Sequence, residues 1–301
     1  MPIPEPEKAA NVTRARTNWT GVAFGLGLAG FAAYQQFKLP PVLPVLLEAY
    51  GYNRTLAGGF MSVYALAGLV LSIWIGRLLA RRGIVGAALG ALGSMILGNA
   101  ISLAWPESGW IVLAGRALEG VGFAVLAISG PLIANANAVS THLPLIAGLT
   151  ASWIPLGQLS AILLAEAAFT WADWRLLWVA AIAGSGLLGL WTLRLARDPG
   201  VVLTLGPRPP AAAPSGRSIA SPDRSVRRSL QLAGAVFMLW SGQYFAYMTW
   251  LPLYLVEVFG LSAAGAVVGY TVPVVVLIAT NLSVGWILRL GVPVGRLLVF
   301  G

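Results

Sequence analysis

Four ionisable side chains lie inside otherwise apolar stretches of this sequence: Lys38, Arg116, Glu119 and Glu166. A charge at membrane depth costs on the order of 2.5–3.5 kcal/mol on insertion scales, so each of the four needs a partner or a task. Arg116 and Glu119 stand three residues apart, about 60° apart around a helix, where an ion pair can form. Counted from the ends of their apolar stretches, Lys38, Arg116 and Glu119 lie at similar depths of roughly 10–15 Å. Two chemistries fit them. One is a structural ion pair that fixes helix packing. In the other, Glu119 is a protonatable coupling group tuned by Arg116 and Lys38, with a basic side chain facing an anionic substrate. Glu166 falls within a turn of a span boundary and reads as snorkelling to the interface.

Two polar faces accompany these charges. Tyr34, Gln35 and Lys38 share one side of the first apolar stretch, and Trp240, Gln243, Tyr244 and Tyr247 recur at i, i+3, i+4 and i+7. Lipid offers such groups no partner, so they are expected to face a water-filled path or another helix; an interfacial aromatic belt or simple packing is the plainer alternative. Pro40, Pro41 and Pro44 must loosen the end of the first stretch, since each lacks an N–H donor. Glycine runs such as Gly86, Gly90 and Gly93, or Gly184, Gly186 and Gly189, are expected at close helix contacts.

Other chemistries are excluded by what the chain lacks. It has no cysteine, which removes disulfides, thiolate metal sites, iron–sulfur clusters and thiol catalysis, and its one histidine is His142. No P-loop, nucleotide motif or convergent catalytic set occurs, so no enzyme, cofactor or metal is expected. A formal charge of +9 would fit nucleic acid on a wet surface, but most Lys and Arg sit in short loops between apolar stretches, so no nucleic-acid partner is expected.

The elements that hold these residues follow from composition. Hydrophobic residues make up 58% of the 301 positions and charged ones 10%, too few to clothe a soluble domain. Cutting at charge, Pro and Asn/Gly clusters predicts an all-α, polytopic transmembrane bundle with spans near 19–46, 55–79, 84–104, 109–134, 143–168, 174–197, 230–257 and 264–289. The start of a ninth is expected near Pro293. Fifteen of the 19 basic residues fall on one side of this alternation, while Glu48, Glu107, Asp173 and Glu257 collect on the other. The positive-inside rule then puts the N-terminus in the cytoplasm of a plasma-membrane protein. The division is a tail at 1–18, a six-helix bundle at 19–197, a Pro-, Ser- and Arg-rich cytosolic linker at 198–229, and an incomplete second bundle at 230–301. A faint repeat links the bundles: Glu48 matches Glu257, Tyr50 Phe259, Gly51 Gly260, Ala57 Ala266 and Gly76 Gly285. A second bundle as long as the first would give roughly twelve spans, so the chain is expected to be truncated within it.

Three local motifs resemble the major facilitator superfamily. Gly76-Arg77-Leu78-Leu79-Ala80-Arg81-Arg82-Gly83 is similar to its G-x-x-x-D-R-x-G loop signature, matching at Gly76, Arg81 and Gly83 but carrying Ala80 in place of the gating Asp. Arg116-Ala117-Leu118-Glu119-Gly120 resembles its R-x-x-x-G motif, and Trp174-Arg175 its frequent W-R pair. The stretch from Trp153 to Gln158, with Pro155, resembles the branch of cyanate- and nitrate-type permeases and lacks the signature of drug/proton antiporters. The resemblance implies that the first, fourth and seventh helices line a central cavity, bringing Lys38, Arg116 and Glu119 near the seventh-helix stripe. It implies a secondary transporter for a small solute, with anions among the candidate substrates and protons among the candidate coupling ions. A monomer in the lipid bilayer is expected. Alternatives are an efflux carrier for hydrophobic compounds and a non-transporting receptor or scaffold.

Overall fold

Apolar stretches separated by Pro, Asn and Gly clusters fold as helices. The computed structural model describes residues 16–171, 173–203 and 224–289, with the backbone alone at some positions, chiefly within 65–82. Among these residues no strand occurs, and the helices run in order α1 (Trp19–Phe37), α2 (Leu43–Tyr50), α3 (Arg54–Ala104), α4 (Gly109–Ala136), α5 (Leu143–Ala151), α6 (Trp153–Trp171), α7 (Arg175–Leu195), α8 (Arg224–Phe259) and α9 (Ala263–Arg289). A 3-10 turn at Pro40–Val42 joins α1 to α2, since the prolines cannot extend the α-helical ladder. The expected ninth span near Pro293, most of the N-terminal tail and the middle of the linker lie outside the described residues.

Among the described residues five segments are long and apolar enough to cross a bilayer by themselves: Gly83–Ala104, Gly109–Ala136, Trp153–Trp171, Arg175–Leu195 and Ala263–Ser283. At 19 to 28 residues each, they are roughly 30–40 Å long. The surface confirms the solvent. Leu163, Leu187, Leu190, Val268 and Val272 point outward, whereas Lys38, Asn99, Arg116, Glu119 and Gln158 are fully buried. Exposed Trp105, Trp110 and Trp171 ring one end, where indole rings favour the interface.

Short connections make successive spans antiparallel and define two ends. The upper end holds Tyr50, Trp105, Trp171 and Phe259; the lower holds Trp19, Gly83, Asn137 and Leu195. At the upper end Tyr50 stacks on Tyr52, and Arg54 pairs with Glu257 at 2.8 Å. At the lower end Asn137 braces three segments. Its carbonyl accepts from Asn18 N at 2.9 Å, and its side-chain amide accepts from Val202 N and donates to Val202 O at 2.9 and 3.0 Å. Asn18 Nδ2 also donates to Gly200 O at 2.8 Å. Residues 198–203 are therefore strapped to the bundle, with Val201 and Leu203 buried. The helix α8 begins at Arg224, inside the stretch expected as linker.

The loop expected at 76–83 is helical up to a single break. The helix α3 runs for 51 residues, and Gly83 (φ 70°, ψ 171°) is its one non-helical residue. That conformation is essentially restricted to glycine. Close helix contacts fall at other glycines than those expected. A Cβ on Gly25 would lie 2.5 Å from the Gly130 carbonyl oxygen and the Ala134 nitrogen of α4, and one on Gly157 would lie 2.5 Å from Ala33 Cβ of α1. Among the described residues Gly90, Gly93 and Gly186 have nothing within 4 Å of such a Cβ, whereas Gly184 sits tightly against Phe31.

Candidate functional site

Small residues draw α1, both halves of α3, and α4 together around the buried charges. A Cβ on Gly98 would lie 2.9 Å from Glu119 Cγ, and one on Gly120 would lie 3.1 Å from the Tyr64 backbone. Between these contacts Glu119 Oε2 accepts from three donors: Lys38 Nζ at 2.8 Å, Arg116 Nη1 at 2.7 Å and Tyr64 Oη at 2.5 Å. The other carboxylate oxygen, Oε1, has no hydrogen-bond partner among the described residues.

Both cations are saturated by the protein. Lys38 Nζ also donates to Gln35 Oε1 at 2.6 Å and Asn99 Oδ1 at 2.5 Å, which uses all three ammonium protons. The Trp178 ring lies 5.0 Å from the same nitrogen. Arg116 lies against the Tyr64 ring at 4.3 Å and donates to the carbonyls of Phe60, Gln35 and Gln36 at 3.3, 2.9 and 3.0 Å. The Gln36 carbonyl is available because its helical partner would be the N–H of residue 40, and residue 40 is proline. Sequence thus prepares the arginine site: Pro40 removes a backbone donor and Arg116 supplies a replacement. With two cations on one carboxylate, the cluster carries a formal charge of +1 out of contact with water.

The structure brings Lys38, Arg116, Glu119 and Gln35 together and adds Tyr64 and Asn99, which sequence reasoning passed over. Tyr34 turns away and donates to Leu177 O of α7 at 2.6 Å. Among the described residues, Tyr244 is the member of the α8 stripe that hydrogen-bonds to the rest of the bundle: its hydroxyl donates to Gln158 Oε1 of α6 at 2.6 Å. Trp240 stacks on Tyr244 at 5.4 Å, while Gln243 and Tyr247 are exposed. Among the described residues no hydrogen bond joins the charged cluster to this stripe: the partners of Lys38, Arg116 and Glu119 lie on α1 and its cap Lys38, on α3 and on α4. Glu166 is exposed on α6. Gly76 and Arg81 lie within α3, where only the backbone is described.

A lone amide in an apolar stretch marks Asn99 as in need of a partner without naming it, and Tyr64 carries no such signal. Asn99 and Gln158 each stand among Leu, Ile, Ala and Gly, where an unpaired amide is costly. Among the described residues no group of three or more His, Asp or Glu is placed to hold a metal ion.

Compared with known proteins, the chain matches the family model of the Major Facilitator Superfamily over residues 22–301. No curated protein matches it.

Proposed function

The chain belongs to the Major Facilitator Superfamily and is a multi-pass membrane transporter, and from that premise we propose a secondary active carrier that moves a small anionic solute with protons by alternating access. In this reading α1 with α2, each half of α3, α4, α5 with α6, α7, α8 and α9 form eight spans. The division follows 1–18, 19–197, 198–229 and 230–301, with residues 198–203 strapped to the first bundle and residues 224–229 already in α8. The lower end faces the cytoplasm of a plasma-membrane monomer, because the basic residues concentrate there.

The observation that carries the substrate class is the charge of the Lys38–Glu119–Arg116 cluster. Two cations share one carboxylate oxygen in a fully buried site, so among the described residues one positive charge is in excess of the carboxylates that pair with it. Protonation of Glu119 would raise the excess, and an anion arriving nearby would offset it, so proton and anion uptake favour one another. The unpartnered Oε1 of Glu119 is the atom free to take the proton. In this reading Tyr34 and Gln35, beside Lys38, and Trp240, Gln243, Tyr244 and Tyr247 on α8 are substrate-binding or coupling residues, and Gly76, Arg81 and Gly83 are the conformational gating segment.

Uptake by the reconstituted protein tests coupling. A Glu119→Gln substitution is expected to flatten the pH dependence of uptake while counterflow persists. Unchanged rate and pH profile would remove Glu119 from the coupling step, and ligand binding without counterflow would favour a receptor. A second reading, export of hydrophobic compounds, is favoured by a cavity of about 680 Å³ between α3 and α8, lined by Met61, Leu66, Phe237, Met238, Phe245 and Trp250. Flux of apolar dyes that ignores Glu119→Gln would support it.

A further inference from the structure

Helices α8 and α9 meet the first six spans along a mostly apolar seam. Phe37 stacks on Phe245 at 5.7 Å, and Met248, Leu251, Val267 and Val274 join the same buried cluster as Phe37, Leu46 and Phe60. In this seam sits one uncharged polar knot. Gln158 of α6 is fully buried, and both ends of its amide are engaged by the second block: Nε2 donates to Tyr270 Oη of α9 at 2.6 Å, and Oε1 accepts from Tyr244 Oη of α8 at 2.6 Å. The other side-chain hydrogen bonds from the first block to α8 or α9 among the described residues, Arg54 to Glu257 and Asn281 to the Ala151 carbonyl, are exposed.

The aim of Gln158 is fixed by its neighbour. Gly157 has no room for a side chain because it lies against Ala33 and Tyr34 of α1. One residue on, about 100° around the helix, Gln158 is turned to the side of that contact, toward α8 and α9. Tyr244 is held in turn by Trp240, stacked at an interplanar angle of 12°, and by an edge contact from Phe37 at 6.2 Å.

From this geometry we infer that Gln158, Tyr244 and Tyr270 form a latch that keeps the seam either closed and dry or open and wet, with no stable state between. Parting α6 from α8 and α9 strands two amide atoms and two hydroxyls together. In apolar surroundings they need new partners at once, so water or a solute with both a donor and an acceptor must enter as the latch parts. Removing one member leaves the others unsatisfied in the closed seam and favours opening. Replacing all three by apolar groups of similar shape removes the demand and lets the seam close again.

The chain has no cysteine, so one introduced thiol reports on the seam. Val274→Cys, buried one turn from Tyr270, is labelled in proteoliposomes with a water-soluble methanethiosulfonate reagent. Gln158→Leu and, separately, Tyr270→Phe are expected to raise the labelling rate about tenfold. The triple variant Gln158→Leu/Tyr244→Phe/Tyr270→Phe is expected to return it to within about threefold of the parent. Ala88→Cys, buried in a different cluster, should label at the parent rate throughout. The latch is overturned if both single substitutions leave Val274→Cys within twofold, if the triple variant labels as fast as the singles, or if Ala88→Cys rises in step. The readout needs no substrate, so it stands apart from the transport assignment.

Discussion

Glu119 gathers three donors on one oxygen, and which of those donors is removed decides the sign of what remains. Taking away the carboxylate leaves Lys38 and Arg116 facing each other without an anion, whereas taking away Lys38 leaves a neutral Arg116–Glu119 pair. Losing one partner of a buried pair costs about 3–5 kcal/mol. Glu119→Gln is therefore expected to lower the thermal midpoint of the detergent-solubilised protein well below that of Lys38→Met. A larger loss in Lys38→Met would contradict the charge count. The three charges were legible in the sequence because ionised residues stand out in an apolar stretch. Tyr64, Asn99 and Gln158 were not, since a neutral polar residue in a span has many outlets and only the fold shows which one it takes. The displacement of Tyr34 has the same origin: helical spacing gives the face, but the Leu177 carbonyl that captures its hydroxyl belongs to a helix 143 residues away.

At the scale of helices, glycine content by itself predicted little. Runs with regular spacing looked suited to tight contact, yet Gly90 and Gly93 face open space while Gly25, Gly98, Gly115 and Gly157 carry the crossings. Spacing along one helix cannot say which partner comes near. Gly25→Val must drive its side chain into the backbone of α4, and the expected loss is about 1–3 kcal/mol or more. Gly90→Ala is expected to stay within about 0.5 kcal/mol of the parent. Thermal unfolding of the two variants side by side checks the assignment. The starts of α1 and α3 and the ends of α2 and α8 have readable causes: Asn18 and Asn53 cap α1 and α3 through side-chain hydrogen bonds, and Gly51 and Gly260 end α2 and α8 with positive φ. The break in α3 fell on Gly83, the last residue of the loop motif, although the rest of that motif stayed helical.

Across the whole molecule, the repeat seen in the sequence has a local counterpart in the structure. Gly51 and Gly260 share the left-handed conformation at φ 63° and 65°, and the matched Ala57 and Ala266 are both buried. Charge patterning and hydropathy made the all-helical plan readable, while the separation of the ionised cluster from the seam depended on three-dimensional placement. The lower-end strap was hidden as well, since a Pro-, Ser- and Arg-rich stretch gives no hint that its first residues fold back. Asn137→Ala is expected to accelerate amide hydrogen exchange at Val202 and in the first turn of α1 together; acceleration at Val202 alone would mean that the two ends are held independently. Because that asparagine grips Val202 while its carbonyl holds Asn18, the tether between the blocks is moored at Leu203 instead of at the tip of α7. A load applied to the chain at Leu203 would be shared among the roots of α1, α4 and α7, three posts instead of one.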